Sequence, residues 1–208
     1  MPSSPEDGTT TREAGRAWAG LAAALALGAG IAFAVDPGAL DWQPGLAAHE
    51  PWRAWSAAWV HYSALHLAAN LAGCAVVAAL GVVARVPPRI VVAWFVAWPL
   101  TQAGLLARPD LLHYGGLSGV LHAGVAAVAL HLIVATRGTR RRIGIALFAG
   151  LLLKVLLETP WGAALRHPAG WDIAVAPFAH ASGLFAGATL AALAETWSWR
   201  PFTIGRND

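Results

Sequence analysis

The chain has 208 residues, of which 57% are hydrophobic and 12% charged, with a net charge of +3. That is about half the charge of a soluble domain, which excludes a disordered chain and argues against a soluble one. A few arginines in a charge-poor chain raise the pI to about 9.8, so no nucleic-acid partner is expected, and the lone Cys74, in an apolar run, reads as a structural thiol.

Residues 1–14 are polar and read as a disordered cytoplasmic tail. The first uncharged run, 17–35, is long enough for a span of about 17–25 residues. Ala32-Phe33-Ala34 has the form of a signal-peptide cleavage site, but the run is long and Glu6, Asp7 and Glu13 precede it, so a retained span is expected. Segment 36–63 carries Trp42, Trp52, Trp55 and Trp59. It reads as an outer loop lying in the headgroup layer and partly re-entering it, because an aromatic belt alone explains the tryptophans but not the length. The second run, 54–84, holds His61, His66 and Asn70. The third is 90–107. The fourth, 111–136, holds Gly115, Gly116, Ser118, His122 and His131. The fifth lies between Arg142 and Glu158 and is broken only by Lys154, which pairs with Glu158 at i+4 or snorkels outward. The sixth, 173–194, holds His180, Ser182, Gly183 and Gly187, and residues 196–208 form a second cytoplasmic tail. The expected fold is an all-α membrane protein with a single six-helix domain over residues 15–195.

Arginine placement sets the orientation. With six spans, one side collects Arg12, Arg16, Arg85, Arg89, the cluster between Arg137 and Arg142, Arg200 and Arg206, while the other holds Arg53, Arg108 and Arg166. The positive-inside rule then puts both termini in the cytoplasm.

Polar residues inside lipid are costly and mark function. His66 and Asn70 precede Arg85, Ser118 and His122 precede Arg137, and His180 precedes Glu195, each by 15 to 19 residues. At about 1.5 Å rise per residue, all five lie roughly 22–28 Å above the cytoplasmic boundary, in one outer layer. Ser118 is a candidate nucleophile and needs a base within hydrogen-bond reach. His180 and His122 are both candidate bases. His66 and Asn70, at i and i+4, can point together at a developing oxyanion. The stretch from Gly115 through Gly116, Leu117 and Ser118 to Gly119 lets the backbone approach a substrate. Gly183 and Gly187 are spaced for close helix packing beside His180.

These residues resemble the rhomboid intramembrane serine proteases. Trp52-Arg53 resembles the Trp-Arg pair of their first outer loop, and His66 with Asn70 their HxxxN motif. Gly116-Leu117-Ser118-Gly119 resembles GxSG, and Ala179-His180 with Gly183 and Gly187 resembles AHxxGxxxG. The resemblance implies a six-transmembrane-helix rhomboid-like bundle with Ser118 as nucleophile and His180 as base. It implies a dyad without a carboxylate, and no intramembrane Asp or Glu is expected as a third member. His66, Asn70 and the Ser118 amide would form the oxyanion hole, with Gly116, Leu117 and His122 bordering the substrate. His122 stands where many rhomboids carry an aromatic residue against the catalytic histidine. Gly-Leu-Ser-Gly followed by Val120-Leu121-His122 is similar to the rhombosortase branch, although Ala123 replaces an expected Gly. Rhombosortases are small bacterial proteins associated with substrates bearing a C-terminal Gly-Gly motif, a membrane helix and a basic tail.

The implied function is endopeptidase cleavage near the outer face of a bacterial inner (plasma) membrane. The implied partners are the lipid bilayer and a membrane-anchored protein with a C-terminal or single transmembrane helix. An acyl-enzyme resolved by water or by another acceptor would follow, with no cofactor and no metal. Loop 36–63 and the outer end of the fifth helix are equal candidates for the gate. Two rivals remain at this stage. One is a catalytically inactive rhomboid-like scaffold. The other is a haem or metal protein using His61, His66, His122, His131 and His180.

Overall fold

The computed structural model describes residues 5–197, with side chains from Glu13 onward. Helix α1 spans Pro5–Ala32, so residues 5–14, expected as part of a disordered tail, continue the first helix, while residues 1–4 and 198–208 lie outside the described residues. The loop that follows contains two single-turn helices, α2 (Pro37–Leu40) and α3 (Arg53–Ser56). The long helices α4 (Ala64–Ala84), α5 (Pro88–Ala103), α6 (Ser118–Ala135), α7 (Gly138–Leu157) and α8 (Pro177–Trp197) complete the fold.

The ends of these helices follow from local sequence. Ser63 caps α4 by accepting the His66 amide at 3.1 Å, as an N-cap serine does. Arg85 ends α4 in the left-handed region at φ 53. Pro87 and Pro88 then prevent continuation and open α5. Pro177 occupies the first position of α8 in the same way.

Among the described residues, five helical segments are long and apolar enough to cross a membrane: Glu13–Ala32, Ala64–Ala84, Pro88–Ala107, Ser118–Ala135 and Pro177–Trp197. Helix α7 is equally long but carries Arg140, Arg141, Arg142 and Lys154, which lower its hydropathy. Leu27, Ile31, Val83, Val92 and Phe185 point outward from the long helices, as lipid-facing side chains do. The chain is a multi-pass membrane protein.

Helix α6 is the axis of the bundle. Of its span 67% is buried, against 28–44% for the other four spans, and α4, α5, α7 and α8 all pack on it. Helix α1 packs outside α4 and α5. The core holds Trp18, Leu25, Ile90, Trp94, Leu117 and Val120. Two core tryptophans spend their indole N–H on helix carbonyls. Trp18 donates to Val77 and Trp94 to Val120, each at 2.8 Å. A buried indole needs such a partner.

The α6–α8 contact is backbone against backbone. A Cβ on Gly183 would overlap the Gly119 carbonyl, and one on Gly187 the Ala123 carbonyl. The expected small-residue face of the sixth span is therefore present and turned toward the fourth, as membrane helix packing requires.

In the loop before α4, three of the four tryptophans pack against the protein. Trp42 is buried, and Trp55 and Trp59 pack edge-on against Trp98 of α5, with ring centroids 5.1 and 5.4 Å apart. Of the four, Trp52 is the exposed one, at 53%. The loop is braced by Arg53, whose Nη1 donates to the carbonyls of Gly38 (3.0 Å) and Asp41 (2.9 Å). Trp42 and Tyr114 exchange backbone hydrogen bonds at 2.7 and 2.9 Å, tying this loop to the segment that leads into α6.

Candidate active site

Two uncharged runs begin their helices later than composition suggests, and the delay builds the site. The fourth run opens at residue 111, but its helix starts at Ser118. The preceding segment holds Gly116 at φ +141, where a Cβ would lie 2.9 Å from the His66 ring. Only glycine takes that backbone and that space without strain. The second run opens at 54, yet α4 starts at Ala64, leaving His61 in the loop just above it.

Ser118, the first residue of α6, points its hydroxyl at α8. Its Oγ–H donates to His180 Nε2 at 2.9 Å. The other ring nitrogen, His180 Nδ1–H, donates to Glu158 Oε2 at 2.6 Å. The expectation that no carboxylate stands behind the base is therefore corrected: the end of α7 delivers one. Lys154, one turn earlier, donates to Glu158 Oε1 at 2.6 Å and to His122 Nε2 at 3.0 Å. The i,i+4 pairing expected of Lys154 is present.

His122 does not reach the serine hydroxyl. Its Nδ1–H donates to the Ser118 carbonyl at 2.6 Å. Its ring lies flat on that of His180, with centroids 4.2 Å apart and planes within 8°. Of the two candidate bases, geometry brings His180 to the hydroxyl and makes His122 its stacking neighbour.

Across the site, His66 and Asn70 converge on Gly116, and the His66 Nδ1 has no hydrogen-bond partner among the described residues. Asn70 Nδ2 donates to His61 Nε2 at 3.0 Å, and His61 Nδ1–H donates to the Trp59 carbonyl at 3.1 Å. Burial holds the His61 imidazole below its ordinary pKa, with the Trp59 carbonyl acting the other way, so the ring is neutral and its Nε2 accepts. Leu117 turns away, and its side chain is fully buried in the core. What it offers the site is backbone.

Between α4, α6 and α7 lies a cavity of about 790 Å³. It is lined by Ser118, His122, His180, Lys154 and Glu158 and by apolar side chains that include Val76, Leu121, Val125, Leu151 and Leu157. The loop between α7 and α8 covers its outer side. Ser63 donates to Asp172 at 2.8 Å, and Arg108 to the Pro160 and Gly162 carbonyls at 3.0 Å each, which fixes that loop to its neighbours.

His131 is remote from this cluster and pairs with Glu195 at 2.7 Å, which also takes Arg89 at 2.8 Å. His61, His122 and His180 each spend both ring nitrogens on protein partners. Among the described residues no group of three or more His, Cys, Asp or Glu is arranged to hold a metal ion.

Sequence reasoning passed over Glu158 as a site residue and left Lys154 and His61 open. One signal was present. Glu158 lies sixteen residues beyond Arg142, about 24 Å along a helix and thus in the same layer as His180. It was placed at the outer end of its helix and read only as a partner for Lys154.

A comparison with curated proteins returns no match. Against protein families, residues 48–196 match the rhomboid domain, a stretch that contains the serine, its histidine partner, the convergent His66 and Asn70 and the covering loop. The match spans well over half of the chain, which belongs to the rhomboid family of intramembrane serine proteases.

Proposed function

We propose that this protein is an active serine endopeptidase that cuts membrane-anchored proteins near the outer face of a bacterial inner membrane. The observation that carries this reading is the Ser118 Oγ to His180 Nε2 hydrogen bond of 2.9 Å, lining a largely apolar cavity between helices. A serine hydroxyl is a weak nucleophile until a positioned base takes its proton. As Ser118 attacks the scissile carbonyl, the proton passes to His180 Nε2. The oxyanion forms beside His66, Asn70 and the amides at the start of α6, where the helix N-terminus adds its positive end. His180 returns the proton to the leaving amine, giving an acyl-enzyme at Ser118. Water completes hydrolysis; an amine acceptor reaching the same ester gives transfer instead.

The topology behind this reading is six spans with both termini cytoplasmic and α7 as the fifth span. Arg140 to Arg142 sit in the first turns of α7, and Lys154 is neutralised by Glu158 at the other end. A substrate helix unwinds between α4 and α7, whose apolar side chains line the cavity. This favours the outer end of α7, over loop 36–63, as the gate, because that loop is tied down by Arg53 and by Trp42. The stacked His122 supports the rhombosortase branch, and with it a single-helix substrate carrying a Gly-Gly tag.

Labelling the purified full chain with a fluorophosphonate tests the reading. Wild type and His122→Ala label, while Ser118→Ala and His180→Ala do not. A folded wild type that stays unlabelled overturns it and favours an inactive scaffold.

A further inference from the structure

The Ser118–His180 pair has a neighbour that a dyad does not need. Glu158 stands on the far edge of the His180 ring, at the atom opposite the one that faces the serine. A carboxylate accepts only, so it fixes the His180 proton on Nδ1 and leaves Nε2 as a lone pair for the hydroxyl. Without it the neutral ring can take the other tautomer, which presents a proton to Ser118 and cannot act as base.

Glu158 is itself held at its side chain and at its main chain. Lys154 binds its other oxygen at 2.6 Å. Behind it, the chain turns sharply at Thr159, φ 49, and Arg166 Nη1 clamps the turn by donating to the Glu158 carbonyl and to Thr159 Oγ1, both at 2.9 Å. A lone carboxylate in an apolar cavity would be driven to its neutral form. The adjacent ammonium favours the charged one.

Charge balance assigns the acid a second task. Lys154 lies beside both stacked rings through its bond to His122. When His180 takes the serine proton it becomes a cation next to a fixed ammonium. Glu158 lies between the two and offsets that repulsion.

Resting on the serine-protease reading above, we propose that Glu158 is the positioning carboxylate of this site, oriented and kept ionised by Lys154, so that the centre works as a Ser118–His180–Glu158 triad. The fluorophosphonate reaction reads this directly, because Ser118 displaces fluoride from phosphorus while His180 takes the hydroxyl proton.

The test compares labelling rates and thermal midpoints of the full chain for wild type, Glu158→Gln, Glu158→Asp and Lys154→Met. Gln keeps the shape without the charge, and Asp keeps the charge in a shorter side chain. The expected result is a fall of about 10²- to 10⁴-fold for Glu158→Gln, beyond what any lost folded fraction explains, with Glu158→Asp labelling faster than Glu158→Gln. A packing role gives the reverse order. Labelling of Glu158→Gln within about threefold of wild type, or Gln faster than Asp, overturns the proposal. Where Glu158→Gln does not fold, Lys154→Met decides: slower labelling supports the assignment and a wild-type rate overturns it. Failure of the protease reading is a separate outcome, seen as wild type unlabelled or Ser118→Ala labelled.

Discussion

At the scale of single residues, the site depends on which ring nitrogen carries a proton. His61 shows this away from the proposed proton transfer. It is neutral because it is buried, and its bare Nε2 holds one amide hydrogen of Asn70, leaving the other free toward Gly116. His61→Leu therefore leaves Ser118 and His180 in place but frees the Asn70 amide to rotate. With Asn70 as the proposed oxyanion donor, the expected outcome is a drop of about tenfold or more in peptide cleavage, since losing one such donor costs up to 10²–10³; cleavage at the wild-type rate would contradict a positioning role for His61. A pH effect follows from the same burial. The unfolded chain binds a proton at His61 near pH 6.5, whereas the folded chain resists it. Acid therefore favours unfolding, and the stability from neutral His61 is complete above that pH and is lost as pH falls. The thermal midpoint of wild type should fall more steeply than that of His61→Leu from about pH 7 to pH 5. Parallel curves would contradict it.

At the scale of elements, the α6–α8 contact sets the distance between serine and histidine. These two helices approach backbone to backbone at Gly119 and Gly183, one turn from His180. Gly183→Val places carbon where the Gly119 carbonyl lies. Overpacking of this kind typically costs about 1–3 kcal/mol, and a shift of about 1 Å in a reacting pair can cost 10²-fold in rate. The expected outcome is a lower thermal midpoint together with fluorophosphonate labelling reduced beyond what the lost folded fraction explains. Unchanged labelling would mean that the glycine face does not set the site. Depth counting depends on helix direction. His66, Ser118 and His180 sit on helices that run in one direction, so equal residue counts give equal heights. Glu158 comes from a helix running the opposite way, where the count must start from the other end.

At the scale of the molecule, the charges define two faces. Arg85, Arg137 and Arg140 to Arg142 gather at one end of the bundle, while Arg53, Arg108 and Arg166 brace loops at the other. With Cys74 replaced by Ala, single cysteines at Thr139 and at His167 should react with a membrane-impermeant thiol reagent from opposite sides of sealed vesicles. Labelling of both from one side would remove α7 from the set of spans and reverse the chain beyond it.

The amino-acid sequence by itself determined the membrane class, the long apolar helices and the near-equal distances of His66, Asn70, Ser118 and His180 from the charged ends of theirs. These depend on hydropathy and on a fixed rise per residue, which are local properties. The motif residues around Ser118 and His180 were legible for a related reason, since the glycines beside them mark where backbones must approach. Residue position alone left two candidate bases; the resemblance implied His180, and the tertiary structure puts that histidine at the hydroxyl. His122 and His180 are both imidazoles at one height by residue count, and the close approach of α8 to α6 at Gly119 and Gly183 brings His180 to the serine. Only the tertiary structure decided that Trp55 and Trp59 of loop 36–63 pack on α5, and that Glu158 reaches His180 Nδ1. That contact joins the ends of two helices separated by a loop, and neither periodicity nor composition encodes where a turn such as Thr159 will aim the side chain before it.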